Sequence, residues 1–141
     1  MKKAKYTALL SMLLTACNSS DTAVKEPHIF PKPGTVVASA QMPVTGDTLN
    51  HFTFSIKVVA DSQVAKGVYD VDADYGPNFA GGELTLPKGA EAATPYVRQG
   101  NEPNSFIIGF RLAGDTTAYD YYQVSSNGSQ TEMRYIKAYT F

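Results

Sequence analysis

The sequence predicts an all-β domain, a single antiparallel β-sandwich of about eight strands, with a small β-barrel as the alternative. Two long alternations carry most of that expectation. Phe52, Phe54, Ile56 and Val58 alternate with Thr53, Ser55 and Lys57, and Phe106, Ile108, Phe110 and Leu112 alternate with Ile107, Gly109 and Arg111. Side chains on a strand point to opposite faces in turn, so each run supplies one apolar face. The third observation is punctuation: short aromatic and β-branched runs are broken by Gly, Pro, Asn and Asp, and no stretch carries a helical period.

In chain order the predicted strands span residues 35 to 44, 49 to 59, 67 to 75, 82 to 87, 95 to 99, 105 to 113, 116 to 125 and 130 to 140. A short helical turn around Ala90 to Ala93 is the alternative within the segment from Lys88 to Asn104. Gly46-Asp47 and Gly114-Asp115 each place Gly before a polar residue, the pattern of a two-residue hairpin loop, and Asn127-Gly128 is the strongest hairpin signal of the chain. Two-residue loops would make the last three strands a meander with Phe110 opposite Tyr119, Ile108 opposite Tyr121, Tyr119 opposite Ile136 and Tyr122 opposite Met133. One face would then hold Phe106, Ile108, Phe110, Leu112, Tyr119, Tyr121 and Ile136, and this is the predicted core face.

The other face would show Ile107, Arg111, Asp120, Tyr122, Val124, Met133, Tyr135, Lys137 and Tyr139. A phenol ring has a flat apolar body and a polar edge, and Tyr and Arg favour interfaces, so Tyr122, Tyr135, Tyr139, Arg111 and Met133 are the predicted partner-binding residues. Cover by another strand, the N-terminal segment or the stretch from Gly76 to Gly81 is the competing expectation. Asp70, Asp72 and Asp74 stand at alternate positions and are weak candidates for a cation. A calcium loop needs Gly directly after its third acid and an acid at its twelfth position, where this chain has Tyr75 and Gly81. The simpler reading turns Tyr69, Val71, Ala73 and Tyr75 inward and the aspartates to water. Neither His28 nor His51 has a neighbouring nucleophile, and phosphate loops, serine elbows and zinc spacings are absent from the sequence, so no enzyme and no cofactor is expected.

The N-terminus carries a different kind of information. Met1 to Lys5 holds three lysines, Tyr6 to Leu14 is apolar, and Leu14-Thr15-Ala16-Cys17 ends on the only cysteine. This arrangement resembles the lipobox of bacterial lipoprotein precursors. The resemblance implies a signal peptide over residues 1 to 16, cleavage before Cys17, and acylation of the Cys17 sulfur and new amino group. Several acyl chains at ~0.8 kcal/mol per buried CH₂ give a lasting membrane anchor. In enteric bacteria Asp after the cysteine signals retention in the inner membrane, so Asn18 implies the outer membrane. Residues 17 to 34, with Pro27, Pro31 and Pro33, read as lipidated cysteine and tether, and residues 35 to 141 as the sandwich domain. His28, Ile29 and Phe30 are the part of the tether expected to dock on it.

Loss of Lys2, Lys3 and Lys5 with the signal leaves nine Lys and Arg of twelve against thirteen Asp and Glu, a formal charge of −4. An acidic balance argues against a nucleic-acid partner, and one cysteine allows no intrachain disulfide. The expected function is that of a lipid-anchored envelope protein that binds a protein, peptide or glycan. The alternatives are an assembly accessory of an envelope complex and a hydrolase inhibitor presenting the stretch from Glu91 to Asn104.

Cys17→Ser should move the protein from the membrane fraction to a soluble or unprocessed form. Persistence in the membrane after signal cleavage, read by fractionation and mass spectrometry, would contradict the lipobox assignment.

Overall fold

The computed structural model describes residues 28–141. The lipobox, Cys17 and the tether up to residue 27 lie outside the described residues. Among the described residues, eight strands form two four-stranded antiparallel sheets, β1-β2-β3-β4 and β5-β6-β7-β8, with no closed barrel. The first sheet contains β1 (Val36–Pro43), β2 (Thr53–Ala60), β3 (Val68–Tyr75) and β4 (Asn78–Thr85). The second contains β5 (Thr94–Gln99), β6 (Ser105–Arg111), β7 (Tyr119–Ser126) and β8 (Thr131–Tyr135). Each sheet is a meander of neighbours in sequence, so the chain crosses between sheets once, between β4 and β5.

The predicted alternations place the core. Phe54, Ile56, Val58 and Ala60 face inward from β2, and Tyr69, Val71, Ala73 and Tyr75 face inward from β3. Phe106, Ile108 and Phe110 meet them from β6, where the Phe54 and Phe106 rings approach to 4.9 Å between the sheets. Residues before Thr35 also contact the sheets. Gly34 N–H donates to the Ala60 carbonyl at 2.7 Å, and Phe30 packs against the core without forming a strand. Ile29 stays 88 % exposed, so only part of the His28 to Phe30 segment docks.

Three loops differ from the expected two-residue turns, for a shared reason. Around Gly46-Asp47 the connection runs from residue 44 to 52, because Asp47 carboxylate oxygens accept the N–H groups of Leu49, Asn50 and Phe52. Around Gly114-Asp115 it runs from 112 to 118, where Asp115 accepts the Thr117 N–H at 2.9 Å. Asn127 similarly accepts the Ser129 and Gln130 N–H groups, making residues 127 to 130 a four-residue loop. An Asx side chain that binds backbone two or three residues on stabilises a wider turn than glycine alone suggests. Backbone N–H groups also hold the Asp47 and Asp115 carboxyls below their ordinary range, chiefly Asn50 for Asp47 and Thr117 for Asp115. The two-residue hairpin is instead Gly76-Pro77 between Tyr75 and Asn78, with Gly76 at φ 56°, so β4 starts at Asn78 rather than residue 82. The only helical segment among the described residues is a 3-10 turn at Val64–Lys66; Ala90 to Ala93 forms tight turns.

Phe54 and Phe110 are both fully buried. Phe54→Ala and Phe110→Ala should each lower unfolding free energy by ~3–5 kcal/mol in denaturant titration. Less than about 1 kcal/mol at both positions would contradict the inward face of both sheets.

Candidate functional site

The register between β6 and β7 decides which aromatic rings reach the surface. Phe110 is opposite Tyr119 as expected and Gly109 is opposite Asp120, but Ile108 is opposite Tyr122 rather than Tyr121. Tyr121 is therefore an extra residue in β7, a β-bulge, and every β7 side chain beyond it changes face. This corrects the expected outer face. Tyr122, Val124, Met133 and Tyr135 lie on the inward side with Ile108, while Ile107, Arg111 and Asp120 remain outward. The wider 127 to 130 loop also moves β8 by two residues, so Tyr122 faces Tyr135 and Val124 faces Met133. Ile136, expected in the core, is 43 % exposed.

Packing around the bulge follows from its geometry. Tyr119 stacks on Phe110 at 5.3 Å and Tyr121 meets the same ring edge-on at 5.6 Å. Tyr121 O–H donates to the Thr85 carbonyl at the end of β4, and its own carbonyl accepts Ile136 N–H. Tyr139 O–H donates to the Asp120 carbonyl at 2.9 Å, which brings the segment after β8 back over Phe110. Burial raises the Tyr121, Tyr122 and Tyr139 hydroxyl pKa values above the ordinary 10.0, so these rings stay neutral donors.

Between this aromatic cluster and the segment after β4 runs an open groove of about 700 Å³. Tyr121, Tyr135, Tyr139 and Phe141 line it together with Pro87, Lys88 and Glu91, and Phe141 itself rests against Gly89. Tyr135 and Phe141 are 47 % and 48 % exposed. Glu91 accepts the Gly89 N–H with both carboxylate oxygens, and hydrogen bonds from its own N–H and from Gly89 hold its carboxyl below the usual range. The groove can offer ring faces, one cation and one carboxylate to a ligand with apolar patches and polar edges.

Of the five predicted partner-binding residues, the structure brings together Tyr122, Tyr135 and Tyr139. Tyr122 is half-buried beneath Tyr135 at 5.1 Å, so it supports the groove rather than lining it. Met133 lies farther along the same seam, its sulfur close to Gly82 of β4. Arg111 is on the opposite face, over the Tyr96 ring at 4.7 Å. There Asp120 accepts Tyr96 O–H at 2.6 Å and binds Arg98 with both oxygens, a network missed in the sequence because its members come from two strands. The Arg98 hydrogen bond is the main cause of a lowered Asp120 pKa. Gly109 is required beneath it, since a Cβ there would overlap the Tyr96 ring and the Tyr119 carbonyl. Asn104, at φ 51°, accepts the Thr45 N–H and donates to the Thr45 carbonyl, so the stretch proposed as an inhibitor loop is tied to the β1–β2 connection. His51 sits at φ 53° in that connection, and His28 packs edge-on against Phe30. Asp70, Asp72 and Asp74 point outward from β3, and no group of three metal-ligating side chains gathers among the described residues.

Asp120 stabilises the fold fully above its ordinary pKa of 3.8 and loses that contribution as pH falls through its lower folded value. The stability gap between the native chain and Asp120→Asn, about 1 kcal/mol for a half-exposed pair, should therefore shrink below pH ~4. A gap that is constant from pH 7 to pH 2.5 in denaturant titrations would contradict the Arg98 pairing.

Compared with family models, curated proteins and solved structures, the chain matches none.

Proposed function

We propose that this chain is a lipid-anchored binding protein of the bacterial cell envelope, held in the outer membrane through Cys17 and engaging a peptide or glycan partner in the groove beside β8. The observation that carries the reading is the exposure of Tyr135 and Phe141 on a groove of ligand size whose remaining rings are fixed by hydrogen bonds. A preset aromatic wall loses little conformational freedom on binding, which favours affinity without chemistry. The lipobox supports the location, because a lipid anchor and an extended tether place such a domain where envelope polymers and proteins are concentrated.

The combined substitution Tyr135→Ala and Phe141→Ala tests the groove. Two probes suffice: solubilised cell-wall glycan strands, and peptides digested from envelope proteins. At least one should bind the native chain and bind the double variant ~30-fold more weakly, the expected loss for aromatic anchors worth ~2 kcal/mol together. Stability should change by about 1 kcal/mol or less, because both rings are half exposed. Binding of either probe that ignores the double substitution, or binding of neither, would overturn the assignment.

A further inference from the structure

β4 is the outer strand with the least protection against pairing. Its inner neighbour is β3, and no described strand pairs with its other side. From Tyr75 and Asn78, which flank the two-residue loop, antiparallel alternation directs the backbone groups of Phe79, Gly81 and Glu83 away from β3. The other outer strands are guarded: β5 carries Pro95 and Arg98, β1 ends on Pro43, and β8 has five residues including Glu132 and Arg134. Between Asn78 and Thr85, Glu83 is the only charge and Gly81-Gly82 lies at the centre.

The two faces beside this free edge ask for different side chains. On the inward side Ala80, Gly82 and Met133, with Val71, Ala73 and Val124, line a small, mostly apolar slot of about 40 Å³ that Thr131 also touches. On the outward side Asp70, Asp72 and Asp74 of β3 adjoin Glu83, while Lys57 stands opposite Asp72 on the far side, in β2. Phe79 is 68 % exposed and its ring lies over Gly81, the partner of Asp72. A residue opposite Gly81 on an added strand would sit two strand spacings, about 10 Å, from Asp72. A Lys or Arg there rests its aliphatic stem on Phe79 and carries its charge across the glycine toward Asp72.

We propose that β4 is a docking edge for an extended basic peptide segment of a partner protein, one alternating small apolar residues with Lys or Arg. Main-chain pairing supplies the attachment, the slot takes one small apolar side chain, and the row of acids selects the charge. The proposal rests on the reading of the chain as a binding protein and names the chemistry of the partner at the seam edge adjoining the groove.

The probe is an acetylated, amidated (Lys-Val)₄ peptide titrated into the purified full chain. Backbone amides of Phe79, Gly81 and Glu83 should gain protection from hydrogen exchange. A (Glu-Val)₄ peptide, and a (Lys-Val)₄ peptide N-methylated at alternate residues, should each bind at least ~10-fold more weakly, since they lose charge complementarity or pairing. Asp72→Asn with Asp74→Asn should weaken (Lys-Val)₄ several-fold, an effect reduced by salt. Equal binding of the N-methylated peptide, protection confined to another strand, self-association through β4 in place of peptide binding, or no binding would each overturn the proposal. Tyr135→Ala separates the two readings. It should leave (Lys-Val)₄ binding unchanged, so the edge can fail while groove ligands remain sensitive to Tyr135, and the reverse.

Discussion

The extra residue at Tyr121 is the constraint on which the second sheet depends. Without it, Tyr122 would point away from the sandwich and Gln123 would enter the core. With it, Tyr119, Tyr121 and Tyr122 all lie on the inward side of one short strand, and no regular strand can place three such closely spaced rings on one side. Tyr135 packs against Tyr121 at the rim of this cluster, and Tyr135 and Phe141 stay about half exposed there. The groove lies beside these rings.

Outward cohesion on the same sheet stabilises the bulge from the other side. Asp120 immediately precedes the extra residue and is held by Arg98 and Tyr96 from β5, two strands away. Gly109 lets Tyr96 cross the sheet close to the backbone, and the Tyr139 hydroxyl takes the Asp120 carbonyl. Polar groups on one face and aromatic rings on the other thus pull on the same two residues of β7. The opposite end of the seam is closed separately: Asn78 donates to the Gly128 carbonyl at 2.6 Å, and Tyr75 lies against Gly128. Between these ends β4 and β8 form no ladder, and the Met133 side chain reaches across to Gly82.

Much of this architecture was legible in the residues. The alternation in β2 and β3 is strong because their inward and outward positions obey the same period, whereas β6 is buried along both faces; its inward run still places Phe110, as those of β2 and β3 place Phe54 and Tyr69. The pairing of Phe110 with Tyr119 also followed from the loop centre, although Asp115 widened the loop. The bulge was less visible. Adjacent Tyr121 and Tyr122 break the alternation, and Gly109 lies across from the break, yet two adjacent tyrosines read equally well as one inward and one outward ring. The residues predict a later start for β4 because Ala80, Gly81 and Gly82 have weak strand preference; the strand exists from Asn78 through its pairing with β3. The Tyr96, Arg98 and Asp120 network needs the sheet before its members meet.

The register of β7 against β6 can be read directly from cross-strand nuclear Overhauser contacts in the isotopically labelled protein. The account predicts contacts of Ile108 with Tyr122 and of Gly109 with Asp120, with Tyr121 lacking a directly opposed partner. Contacts of Ile108 with Tyr121, continuing regularly to Phe106 opposite Gln123, would return Tyr122 to the outer face and contradict it.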